Sequence, residues 1–134
     1  MRLFLAILCL LAATACDEKS PVGPTIPLNE QFTLRRGEAA TIERTSSRIQ
    51  FVDVTGDSRC PADALCIWGG DAIVQARVFD GGVSSDYELH TGDSRRAFVL
   101  HRDLRIELRQ LEPYPFSSRT IDASEYRATL VVQR

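Results

Sequence analysis

Ala72-Ile73-Val74-Gln75-Ala76-Arg77-Val78-Phe79-Asp80-Gly81-Gly82-Val83-Ser84-Ser85-Asp86-Tyr87-Glu88-Leu89-His90 is the stretch that decides the fold. Ala72, Val74, Ala76 and Val78 recur with a period of two, which places them on one face of an extended strand. Asp80-Gly81-Gly82 then breaks the pattern with a strong tight-turn signal. Tyr87 and Leu89 share one face of the returning strand, and Glu88 and His90 take the other, solvent-facing side.

The same grammar runs outward in both directions. Upstream, Phe32 and Leu34 alternate with Thr33 and Arg35, Ala40 and Ile42 start a second segment, and Ile49 and Phe51 a third. The shift of the apolar residues to Val52 and Val54 predicts a bulge or a strand buried on both faces. Downstream, Phe98 and Leu100 form one short strand, and Leu104, Ile106 and Leu108 face inward from the next. Pro113 and Pro115 end that strand, and Tyr126, Ala128, Leu130 and Val132 make the last. No window sustains a helical apolar stripe, and Ile121 to Tyr126 forms a turn at most. About eight short strands with frequent turns predict an all-β fold, a small antiparallel β-sandwich, immunoglobulin-like or related, in residues 31–134.

The N-terminus reads differently. Arg2 precedes an apolar run from Leu3 to Leu11, followed by Ala12-Ala13-Thr14-Ala15 and Cys16. This is the layout of an export signal, too short for a permanent membrane span. Cysteine directly after small residues resembles the lipobox of bacterial lipoproteins. The resemblance implies a cleaved signal over residues 1–15, acylation of Cys16, and a mature protein held at a membrane of the cell envelope. Ala13 stands where that family usually has leucine, which keeps cleavage after Ala13-Thr14-Ala15 and plain secretion as the alternative. Residues 16–30 contain Pro21, Pro24 and Pro27 and read as an extended tether.

Lys and Arg number 16 against 18 Asp and Glu, a formal net charge of −2 with no basic stripe, which argues against a nucleic-acid partner. Of the cysteines, Cys9 lies in the apolar run and Cys16 is the lipid acceptor that the lipobox resemblance implies. Cys60 and Cys66 remain, and in an exported domain they are expected to form a disulfide. Closing so short a loop contributes about 2.4 kcal/mol. Zinc is the rival reading, but His90 and His101 are the only histidines, and their spacing fits no compact zinc pattern. No metal or cofactor is expected.

Asp57-Ser58-Arg59-Cys60-Pro61-Ala62-Asp63-Ala64-Leu65-Cys66-Ile67-Trp68-Gly69-Gly70-Asp71 is the one long segment that does not read as strand. Three readings compete for it. In the structural one, Trp68 lies against the disulfide or caps the core, and Gly69-Gly70 turns the chain into the next strand. In the recognition one, Arg59, Leu65 and Trp68 form an exposed patch for an envelope protein or a glycan, since Trp and Arg are enriched at hot spots. A special case presents Arg59 to a trypsin-like protease from a braced loop. In the third, Asp53, Asp57, Asp63 and Asp71 collect a cation, although loop aspartates also serve as turn formers.

The loop and its flanks resemble a family of exported bacterial proteins with a D-S-R-C-P-x4-C-x-W-x-G core, an early F-x-L-x-x-G-E and a late Y-x-A-x-L. Here these are Asp57 to Pro61 with Cys66-Ile67-Trp68-Gly69-Gly70, Phe32 to Glu38, and Tyr126 to Leu130. The resemblance covers most of residues 31–134 and implies export, but it carries over no activity. No nucleophile elbow, phosphate loop or HExxH motif occurs. His90 and His101 are expected at the surface, and Ser84-Ser85 and Ser117-Ser118 in turns. The expectation is therefore a non-catalytic lipoprotein with a binding or structural role. A secreted protease-inhibitor-like module built around Arg59 is the alternative.

Overall fold

The structure, a computed structural model, describes residues 23–134. The signal, the Cys16 lipidation site and the first part of the tether lie outside the described residues. Within them the chain is all-β, with nine strands: β1 (Thr25–Ile26), β2 (Gln31–Arg35), β3 (Ala39–Ile42), β4 (Arg48–Asp57), β5 (Ala72–Asp80), β6 (Val83–His90), β7 (Phe98–His101), β8 (Leu104–Glu112) and β9 (Arg127–Gln133). They form two sheets, a five-stranded curled half-barrel in the order β1-β3-β4-β5-β6 and a four-stranded antiparallel sheet in the order β2-β9-β8-β7.

β5 shows why the fold forms. Its alternate residues from Ala72 to Asp80 are buried, as the period of two requires. On its other face, cross-strand partners are matched in register. Arg77 meets Asp86 at 2.5 Å and Gln75 meets Glu88 at 2.9 Å, and Arg48 lies over the Phe79 ring at 5.0 Å. Such pairs hold the register while the apolar face supplies the drive. The hairpin turn is Gly81-Gly82, both at positive φ, a geometry that suits the twist of a two-residue hairpin. Ile49, Phe51, Val74, Val78 and Leu89 from the half-barrel pack into one core with Leu34, Ile106, Leu130 and Val132 from the second sheet.

The bulge expected near Val52 is present, as a register shift between Phe51 and Asp53, with another between Val54 and Gly56. A bulge between Leu108 and Gln110 in β8 was not anticipated; it turns Leu111 inward.

Several expectations are corrected. Thr25–Ile26, in the stretch read as tether, pairs in parallel with β3, and Ile26 joins the core. An apolar residue after Pro24 has sheet edge to bury against, so the packed chain begins before Gln31. Leu100 points outward at 67% exposure while His101 is buried. The turn joining β7 to β8 pairs His101 with Leu104 and so sets the opposite face inward. Phe98 lies beneath the Arg105 guanidinium, 3.5 Å from it. His101 is accommodated because its Nδ1 meets the Tyr87 hydroxyl at 2.7 Å and the buried Asp80 lies 3.5 Å from its Nε2.

Candidate functional site

The Ser58–Asp71 connection leaves β4 and enters β5 at one end of both sheets. Its stem is closed by Ser58 N–H donating to Asp71 O at 2.7 Å and Cys60 N–H donating to Gly69 O at 2.8 Å. Gly70 sits at φ +74°, where an added Cβ would lie 1.9 Å from Ser58 O. Only glycine fits this close backbone approach. The Cys60–Cys66 disulfide closes the ring above the stem, with the Cα atoms 6.0 Å apart.

Beneath the ring, Arg59 is buried, which corrects its place in the expected exposed patch. Its guanidinium donates to both oxygens of Asp57, at 2.8 and 2.6 Å, to Leu111 O at 2.7 Å and to Pro113 O at 2.9 Å. Its plane also lies over the Tyr114 ring, 5.2 Å from the centroid. A planar fork suits this set, in which a bidentate carboxylate and two carbonyls take four of its five donors. Tyr126 at the head of β9 completes the network by donating its hydroxyl to Asp57 Oδ2 at 2.9 Å. Burial opposes ionisation of Asp57, but Arg59 and Tyr126 outweigh it and hold its carboxyl below the usual range. The Tyr126 hydroxyl, buried and bonded to that carboxylate, is pushed up to about 12. Two of the sequence motifs thus meet here, the D-S-R-C-P core through Asp57 and Arg59 and the late Y-x-A-x-L through Tyr126.

A second set of bonds fastens the loop to the segment after β8. Ala62 N–H donates to Pro115 O at 2.9 Å, and Asp63 accepts from Ser117 N–H at 2.8 Å and Ser117 Oγ at 2.5 Å. These two bonds hold the Asp63 carboxyl below its ordinary range. Above this base, Leu65 and Ile67 are fully exposed and Trp68 is 71% exposed. Trp68 therefore neither covers the disulfide nor caps the core. The buried Arg59 occupies the interior that the structural reading assigned to Trp68.

Beside Trp68 opens a cleft of about 560 Å³, with Tyr114 on its wall and Asp71, His90, Asp93 and Arg96 around it. His90, expected at the solvent face, is 3% exposed. At the end of β6 the loop folds over it, and its Nδ1 meets Asp71 Oδ2 at 2.6 Å. Asp71 Oδ1 accepts from Gly92 N–H at 2.8 Å. Burial opposes ionisation of Asp71, yet the His90 and Gly92 donors hold its carboxyl below the usual range. The Nδ1 of His90 therefore carries the hydrogen, and Nε2 has no partner within the protein.

The aspartates of the cation reading are dispersed. Asp53 pairs with Arg36 at 2.7 Å, while Asp57, Asp63 and Asp71 have the separate partners described above. Among the described residues no three potential metal ligands cluster, and no helix is long and apolar enough to cross a membrane. Of the three residues proposed for binding, the structure brings Leu65 and Trp68 together at the surface and sets Arg59 beneath them. Ile67, Tyr114 and the Asp71–His90 pair were missed. Ile67 was legible as an aliphatic residue in a non-strand loop, whereas the others depend on contacts remote in sequence. Compared with protein-family models, curated proteins and solved structures, the chain matches none.

Proposed function

We propose that this protein is a non-catalytic recognition module of a bacterial envelope, anchored through Cys16, that contacts a partner protein with the tip of its disulfide loop. Its two sheets are read as a sandwich of the immunoglobulin-like type, which presents end loops for binding. The observation that carries the reading is that Leu65, Ile67 and Trp68 stand in solvent on a loop pinned from below. Adjacent exposed aliphatics with a tryptophan suit an apolar groove on a protein. The disulfide, the Asp57–Arg59–Tyr126 network and the Asp63–Ser117 bonds restrict the loop before it binds, which lowers the ordering cost of association. The inhibitor alternative has less support, because four of the five guanidinium N–H donors of Arg59 are engaged inside.

A photo-cross-linking residue in place of Ile67, in the intact lipoprotein in its native membrane, tests this. A discrete protein adduct is expected at position 67 and not at Ser84, beside the hairpin turn at the far end of the sheet. Adducts to lipid alone, or the same pattern at both positions, would overturn it.

A further inference from the structure

The cleft shares Trp68 with the loop but neither Leu65 nor Ile67, so its ligand need not be the partner of the loop tip. Its volume of about 560 Å³ falls in the range of small-ligand pockets. Two features specify what it takes. The first is aromatic surface: Trp68 is 71% and Tyr114 51% exposed, both on the cleft wall. The second is an acceptor without a donor. The His90 side chain is 97% buried, its Nδ1 hydrogen is directed at Asp71, and Nε2 meets no protein group.

Charge narrows the choice. Asp71 is committed to His90, Asp93 to Arg95, and Arg59 to Asp57, while Arg96 lies 3.9 Å from Glu88. The cleft therefore offers polar edges but little unbalanced charge to select an ion.

We propose that this cleft binds a neutral sugar ring. A pyranose has an apolar C–H face to lay on an aromatic side chain, and hydroxyl groups at its edge. One hydroxyl donates to His90 Nε2, and others reach the Asp93 carboxylate and the Arg96 guanidinium at the rim. His90 Nε2 has no exposed surface in the free protein, so side chains of the cleft wall must shift for the hydroxyl to reach it. The proposal is independent of the loop-tip partner.

Calorimetric titration of the whole protein in detergent with maltotetraose, cellotetraose and chitotetraose, each to about 10 mM, tests it. Saturable binding of at least one, with a Kd of about 1 mM or tighter, is expected. Trp68→Ala should weaken it by about tenfold or more, and the sugar should shift the ¹⁵N resonance of His90 Nε2. Leu65→Ser, in the protein that carries the photo-cross-linking residue at position 67, should keep sugar binding while weakening the cross-link from the loop tip. The proposal is overturned if none of the three sugars saturates. It is also overturned if Trp68→Ala binds as well as the parent, or if the His90 resonance stays in place.

Discussion

Arg59→Met isolates the buried ion pair beneath the loop. Methionine keeps most of the stem that packs under Tyr114 and removes the four guanidinium hydrogen bonds to Asp57, Leu111 O and Pro113 O. The side chains of Arg59 and Asp57 are only 5% and 12% exposed, so water replaces little of what is lost. Removing one member of a buried pair typically costs about 3–5 kcal/mol. Here the loss has a ceiling. Asp57 escapes by taking up a proton, which from an ordinary carboxyl pKa costs about 4 kcal/mol at pH 7. The expected loss is therefore about 3–4 kcal/mol, or a fall in Tm of roughly 12–20 °C for a domain of this size. Urea unfolding followed by circular dichroism measures it. Asp57→Asn added to Arg59→Met should recover about 1–2 kcal/mol, because the unpaired charge is gone. The deficit should also narrow in acid. Asp57 is held below its unfolded pKa in the parent, so its contribution is present above about pH 4 and fades as pH falls through the folded value. A cost under about 1 kcal/mol, the size of an exposed pair, would refute the reasoning.

Three further perturbations probe the same end of the molecule. Replacing Cys60 and Cys66 together by alanine should lower stability by about 2 kcal/mol and speed protease cleavage within the loop, measured by unfolding and limited proteolysis. Gly70→Ala should cost about 3 kcal/mol or more, since its Cβ meets backbone at 1.9 Å; Gly82→Ala has positive φ but open space and should cost about 1 kcal/mol, a contrast read by thermal unfolding. Tyr126, raised to about 12 in the fold, binds its proton more tightly than an unfolded tyrosine. Its stabilisation is present below about pH 10 and fades as pH rises toward the folded value, by up to about 2–3 kcal/mol. Tyr126→Phe should lack that alkaline decline in a pH series of unfolding curves.

What could be read in advance was local. The period of two in β5, the Gly81-Gly82 turn, the bulge after Phe51 and the Cys60–Cys66 pair all depend on neighbours within a few residues. What was missed depends on remote partners or on a single residue of register. Arg59 reads as a surface arginine until the end of β8 brings the Leu111 and Pro113 carbonyls to it. Only its spacing of two from Asp57, on a continuing extended face, hinted at the pair. His90 is inside because a loop that begins thirty-two residues earlier, at Ser58, returns Asp71 across it. Leu100 and His101 exchange roles because the turn at Arg102-Asp103 sets the pairing of β7 with β8, and a one-residue slip reverses a strand's faces. Trp68 was placed inward by the structural reading of the loop and outward by the recognition reading, and its 71% exposure fits the second. The space beneath the loop is occupied by Arg59, an arginine that its sequence alone places outside.

The central claim is that the loop stands open in solvent on a rigid base, and Trp68, the single tryptophan of the chain, reports on it directly. Acrylamide quenching of its fluorescence in the folded protein is the decisive measurement. The account predicts quenching nearly as efficient as in the urea-unfolded chain, with a red-shifted emission, because the ring is 71% exposed. A blue-shifted emission protected from acrylamide in the partner-free protein would place Trp68 against the core and contradict the account.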